Sequence, residues 1–228
     1  MRLHHKGYIP LLVMLALLLC MVWLINLVFP VQSTIHYILY CAGVIFYFLC
    51  IRFFRRPYRE VLPDPEQILS AADGHVVVIE EIQETEYFHD RRMQVSIFMS
   101  PLDVHVNWYP VSGEIIHTKY HHGSHIPAYR PKASMKNERM SIVIENEHGK
   151  PVMMTQIAGI MARRVFTTAR PGSYVFQGEE AGIIKFGSRV DIILPKDSEI
   201  VVKLGQKVSA CKTIIARFPD KNLFLQKS

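Results

Sequence analysis

The chain has 228 residues, half of them hydrophobic, and its 26 Lys and Arg against 20 Asp and Glu give a formal charge of +6. That is too apolar for an ordinary soluble domain and too short for a polytopic transporter, which leaves a membrane segment plus one globular domain. The positive surplus suits anionic lipid headgroups beside a membrane, and the lack of a basic stripe interleaved with aromatics argues against nucleic acid.

From the N-terminus, residues 9–29 are apolar, interrupted notably by Trp23 and Asn26, and are long enough to cross a bilayer as a helix. Pro30-Val31-Gln32-Ser33-Thr34 breaks the run, and a second apolar stretch over 35–54 returns after it. The two should form a helical hairpin. Arg2 and Lys6 precede the first run, and Arg52, Arg55, Arg56 and Arg59 follow the second. Both ends are therefore expected in the cytoplasm, at the cell membrane. No small-residue cleavage site follows the first run, so an anchor is preferred to a signal peptide. Cys20, Cys41 and Cys50 lie in these runs and Cys211 stands alone, with no disulfide framework and no paired metal spacing.

Residues 57–65 switch to Pro, Asp, Glu and Arg, a linker that separates an anchor of 1–56 from a domain of 57–228. Beyond it the signals are strand-like. β-Branched or alternating runs occupy 76–82, 94–99, 140–145 and 152–157, bounded by Asp73-Gly74, Ser100-Pro101 and Glu147-His148-Gly149. Further strands are expected at 182–186, 189–194, 199–203 and 213–217. With no convincing helical period after residue 68, the domain should be mostly β, and about 160 residues suffice for one core. The stretch 188–218 resembles half of a biotinyl/lipoyl-type barrel-sandwich, but no lysine stands at a hairpin tip as a carrier domain requires.

Several polar groups are candidates for chemistry. A serine hydroxyl can attack the carbonyl before it, and Gly187-Ser188 removes the Cβ that would hinder this; the same pair also makes an ordinary turn between strands. Asp73 sits in a tight turn before a strand, where capping its own backbone is the commoner role. His105 lies in an apolar setting two residues after Asp103. His121, His122 and His125 suggest a metal, but Gly123 interrupts any helix that would align them and no Cys or acid pair completes a set, so no metal is expected. Asn137-Glu138-Arg139 reads as a surface turn before a strand.

In their order and spacing, Phe53-Phe54-Arg55-Arg56-Pro57, Ala72-Asp73-Gly74, Ser100-Pro101-Leu102-Asp103-Val104-His105-Val106-Asn107, residues 120–123, residues 132–139 and Phe186-Gly187-Ser188 resemble the short branch of the phosphatidylserine decarboxylase proenzymes. The resemblance covers most of the chain. It implies self-cleavage between Gly187 and Ser188 into a β chain of 1–187 and an α chain from 188, which remain together as a heterodimer. It implies a pyruvoyl group derived from Ser188 as the only cofactor, joined to the substrate amine as a Schiff base, and phosphatidylserine, a membrane lipid, as substrate. By motif, Asp73 and His105 match the family's Asp-His-Ser set, with His105 as base and Asp73 orienting it. Where the longer bacterial branch has a second His this chain has Trp108, which leaves two alternatives: His105 serves both steps, or a histidine of the 121–125 cluster substitutes. Lys132 or Arg139 are candidates for the phosphate. Two other readings are a pyruvoyl decarboxylase of a soluble amino acid and a membrane-tethered adaptor without activity.

Overall fold

The structure, a computed structural model, describes residues 2–124, 137–159, 165–184 and 188–219. The chain divides into two compact units, Met1–Tyr58 and Arg59–Ser228.

The first unit is an apolar hairpin of α1 (Tyr8–Val28) and α2 (Thr34–Phe53), with the short strands β1 (Arg2–Leu3) and β2 (Arg55–Arg56) paired antiparallel at its open end. Twenty-one residues of α1 rise about 31 Å, the thickness of a bilayer's hydrocarbon core. Pro10 falls in the first turn, where its missing N–H is not needed. Leu12, Leu17, Trp23, Ile38 and Phe48 are exposed, and both helices are long and apolar enough to cross a membrane. Near the turn, Asn26 Nδ2 donates to Val22 O and Tyr40 Oη, each at 2.7 Å, so this polar interruption is satisfied within the hairpin. Ser33 N–H and Oγ approach His36 Nδ1 at 3.2 and 2.8 Å where α2 begins.

In the second unit every described regular element is a strand. They are β3 (Gln67–Leu69), β4 (Gly74–Gln83), β5 (Arg91–Met99), β6 (Val106–Trp108), β7 (Gly113–His121), β8 (Arg139–Glu145), β9 (Pro151–Ile157), β10 (Val165–Thr167), β11 (Tyr174–Val175), β12 (Glu180–Ile184), β13 (Ser188–Pro195), β14 (Glu199–Ile200), β15 (Lys207–Val208) and β16 (Ile214–Arg217). A curled half-barrel sheet runs β11-β7-β8-β9-β13-β5-β4-β15, with β10-β12-β6 and β14-β16-β3 as smaller three-stranded sheets. The pairings are antiparallel.

The expected strands at 76–82, 94–99, 140–145, 152–157, 189–194 and 213–217 are all present, within a residue or a few at each end. One face of the large sheet carries Val95, Ile97, Met99, Ile142, Ile144, Met154, Val190, Ile192 and Leu194 into the main core. Gly74 makes the β4–β5 contact possible: a Cβ there would lie 2.0 Å from Phe98 O. Gly182 does the same for β12 against β10, where a Cβ would lie 2.0 Å from Phe166 O.

Three expectations need correction. The strand foreseen over 199–203 is only Glu199–Ile200, because the chain soon turns at Leu204 and Gly205, where φ is +78°. The nine-residue strand β7 was not foreseen; its Glu114, His117, Thr118, Lys119 and His121 hide the apolar alternation. The strands flanking Gly187-Ser188 are not a hairpin, since β12 pairs with β6 and β10 whereas β13 pairs with β5 and β9. The connection between them crosses from one sheet to another.

Candidate active site

Ser188 opens β13, a strand buried along almost its whole length between β5 and β9. It is fully buried, pairs with Met99, and its hydroxyl lies 3.6 Å from Met99 Sδ. Gly187 lies outside the described residues, as do Lys132 and His125.

His105 arrives from a turn that its motif builds. Asp103 Oδ2 accepts from Ser100 N–H at 2.9 Å and from Ser100 Oγ at 2.7 Å, and Asp103 N–H bonds back to Ser100 O at 2.9 Å. Asp103 thus shapes the loop, as short polar side chains do in turns. His105 is fully buried at its exit, with Nδ1 3.0 Å from Asp103 O. A carbonyl only accepts, so Nδ1 carries a proton, which makes Nε2 the nitrogen that can serve as a base whenever the ring is neutral. The His105 carbonyl accepts from Ile184 N–H at 3.2 Å, the last residue of β12 and four before Ser188. Fully stretched, four residues span at most about 14 Å. The sheet crossing therefore keeps the His105 backbone and Ser188 in one neighbourhood.

Asp73 is held differently from what the family's set implies. Its Oδ1 and Oδ2 accept from Arg59 Nη1 and Nη2 at 2.7 and 2.6 Å, and Oδ1 also takes Ala210 N–H at 2.8 Å. In this conformation the imidazole is oriented by the Asp103 carbonyl, while Asp73 ties the 71–73 turn to the C-terminal segment. The Arg59 guanidinium also lies 4.5 Å from the centroid of the Trp108 ring. Trp108, which stands where the longer branch has its second His, thus packs against the ion pair of Asp73.

Burial pushes the neighbouring Cys211 thiol up to about 12, with Arg59 opposing and Asp73 adding to the shift. A thiol so protonated is inert near neutrality.

The other candidates fall elsewhere. Cross-strand register joins Arg139 to Ile157 and Ile157 to Arg189, so Arg139 projects from the sheet face opposite Ser188. Its guanidinium lies 3.4 Å from His121 Nδ1, and His121 Nε2 is 2.8 Å from Glu86 Oε2. His122 packs edge-on against Tyr120.

Sequence reasoning assigned no role to Met99, Asn107 or Gln156, all fully buried. Asn107 Nδ2 lies 3.6 Å from the same Met99 sulfur that Ser188 approaches, and Gln156 Nε2 donates to Asn107 Oδ1 at 2.9 Å. The available signal was an amide inside an otherwise apolar strand, Val-Asn-Trp in one case and Met-Met-Thr-Gln-Ile in the other, since a polar group there must be satisfied or functional.

A buried serine at a sheet-to-sheet crossing, with two carboxamides gathered near it and a buried histidine whose backbone is tied to the strand before it, is equipment for enzyme chemistry and unlike the exposed tip of a carrier domain. Comparison with known proteins agrees. Residues 46–216 match the phosphatidylserine decarboxylase family. The chain is 46% identical over 221 residues to the phosphatidylserine decarboxylase proenzyme of Phocaeicola vulgatus, covering 95% of each chain. It is 42% identical over 218 residues to that of Cytophaga hutchinsonii, covering 96% of this chain and 99% of the other. With that of Amoebophilus asiaticus it shares 48% over 169 residues, 74% of this chain and 75% of the other.

The chain belongs to the phosphatidylserine decarboxylase family. Its activity is that of a lyase of phospholipid biosynthesis, made as a zymogen. The adaptor without activity and the decarboxylase of a soluble amino acid both fall away with that membership.

Proposed function

We propose that the enzyme converts phosphatidylserine to phosphatidylethanolamine and CO2 through a pyruvoyl group made from Ser188 by self-cleavage, with His105 as the base. The observation that carries this reading is the burial of Ser188 at the sheet crossing anchored to His105. Water is excluded from the hydroxyl, and the His105 backbone belongs to the same neighbourhood.

His105 Nε2 takes the proton from Ser188 Oγ, which attacks the Gly187 carbonyl; the C–N bond breaks, leaving an ester and a free amine. Loss of the Ser188 Cα proton then expels the Gly187 carboxylate from Cβ. The resulting dehydroalanine takes up water and releases ammonia, so residue 188 becomes the ketone-bearing end of an α chain, 188–228, that stays with the β chain, 1–187. The buried surroundings of Ser188 fit such a group, since Met99 packs against residue 188 and burial keeps water from it. Once formed, a pyruvoyl ketone binds a primary amine and accepts the electrons left behind as CO2 departs. His105 Nε2 then supplies the proton to the carbon that lost CO2. Asp73 contributes its charge and the fixed 71–73 turn.

We also read the hairpin as a cell-membrane anchor that keeps the domain on the cytoplasmic side, supported by Arg and Lys at both its ends. The short strands after residue 188 support a barrel-sandwich of biotinyl/lipoyl type.

The test pairs a denaturing gel with CO2 release. Wild type should run as two pieces, the smaller blocked at its N-terminus, and Ser188→Ala as one inactive chain. His105→Ala should stay uncut, because general-base help is worth about 10²–10⁴ in rate. A wild type that decarboxylates while remaining full length would refute self-cleavage, and a His105→Ala protein that both cleaves and turns over normally would remove His105 from the mechanism.

A further inference from the structure

The two carboxamides near Ser188 have no part in the steps above. Gln156 lies directly across from Val190, and Val190 and Ser188 point the same way from β13, so Gln156 rises from the same sheet face as Ser188. Met99 dictates how the amides are turned. A thioether accepts but cannot donate, so Asn107 offers it Nδ2 at 3.6 Å and is left with Oδ1. That oxygen takes the Nε2 donor of Gln156 at 2.9 Å. The chain of contacts ends on Gln156 Oε1, which is buried and has no hydrogen-bond partner among the described residues. A buried acceptor left empty costs free energy and calls for an explanation.

The acceptor's chemistry matches what the substrate brings. A serine headgroup enters as a primary amine, a donor of N–H, and it must lose its positive charge to act as a nucleophile. A carboxylate at this position would hold the amine in its ammonium form by charge. A neutral amide carbonyl receives the N–H and leaves the nitrogen lone pair available. We propose that Gln156 Oε1 accepts a hydrogen bond from the headgroup amine as it approaches residue 188, with Asn107 and Met99 as positioning residues that fix the direction of that oxygen. This assignment rests on the pyruvoyl reading above.

The experiment uses the full chain in detergent micelles and three readouts: the fraction cleaved, kcat/KM for phosphatidylserine, and reductive capture of phosphoethanolamine by cyanoborohydride, seen as a mass increase on the smaller chain. Gln156→Met keeps the shape and removes the acceptor. It should cleave as wild type does while kcat/KM and the capture rate both fall roughly tenfold to a hundredfold, the effect of one hydrogen bond to a charged or polar partner. Gln156→Glu puts a carboxylate there, which holds the amine as ammonium, so its capture relative to wild type should be low near neutrality and recover as pH is raised. If Gln156→Met does not fold, Gln156→Glu and Asn107→Leu carry the test: capture relative to wild type that recovers with rising pH in the first and stays low in the second supports the assignment, and the same pH response in both overturns it. Wild-type capture by Gln156→Met overturns it, and so does a folded Gln156→Met that fails to cleave, which would move the residue to maturation. Equal loss in Met and Glu variants at every pH would reduce Gln156 to packing and also overturns it. A wild type that neither cleaves nor captures the amine defeats the pyruvoyl reading instead.

Discussion

Arg59→Leu probes the contact by which Asp73 departs from its expected partner. The guanidinium makes two charge-assisted bonds to the carboxylate, at 2.7 and 2.6 Å, and also donates to the Ala210 carbonyl. The side chains of Arg59 and Asp73 are 8% and 16% exposed. Leucine would remove all of these bonds and the packing over Trp108, and would leave the carboxylate with the Ala210 N–H alone. Removing one partner of a buried pair costs about 3–5 kcal/mol. The surviving N–H and the residual exposure of Asp73 put this case at the lower end, about 3 kcal/mol. For a domain of this size each kcal/mol moves Tm by roughly 2–4 °C, so a drop of about 6–12 °C is expected. Thermal unfolding in detergent, on a Ser188→Ala background so that one uncut species is compared, measures it. Asp73→Asn added to Arg59→Leu should recover part of the loss, because no unpaired carboxylate remains. A shift below about 2 °C for Arg59→Leu, or strict additivity in the double variant, would refute the reasoning.

Glu84 links stability to pH. Burial opposes its ionisation, but the backbone N–H groups of Tyr87, Glu86, Phe88 and His89 together outweigh burial and hold the carboxyl below its ordinary value. A depressed folded-state pKa means that the stabilisation is present above the unfolded value, near 4.5, and is lost as pH falls through the folded one. The Tm gap between wild type and Glu84→Gln should therefore be widest near neutrality and shrink below about pH 4; a gap independent of pH would contradict this. Removal of residues 1–54 should release the remaining domain to the soluble fraction with self-cleavage intact, as none of the proposed cleavage residues lies there. Persistence of the truncated protein in membrane pellets would argue against the anchor, and protection of the domain on the far side of the membrane would overturn the orientation.

Strong local patterns were legible in the residues alone. The two apolar runs are uniform enough that no packing partner is needed to make them helices, and they appear within a residue of the expected limits. The buried strands β5, β8, β9 and β13 announced themselves through β-branched runs and flanking turns. Ser100-Pro101-Leu102-Asp103 needed only short-range hydrogen bonds to become the turn that delivers His105.

What sequence could not supply was every property set by which strands lie side by side. β7 has too many polar residues to read as a strand until β8 and β11 pair with it. Gly187-Ser188 reads equally as a hairpin turn, and only the separate pairings of β12 and β13 make it a crossing between sheets. The same holds for side chains. Asp73 is about 30 residues from His105 in sequence but finds Arg59 and Ala210, and Gln156 meets Asn107 across 49 positions. Local periodicity reports the face a residue occupies; its hydrogen-bond partners follow from long-range antiparallel register, a property of the folded sheet that no short stretch of chain contains.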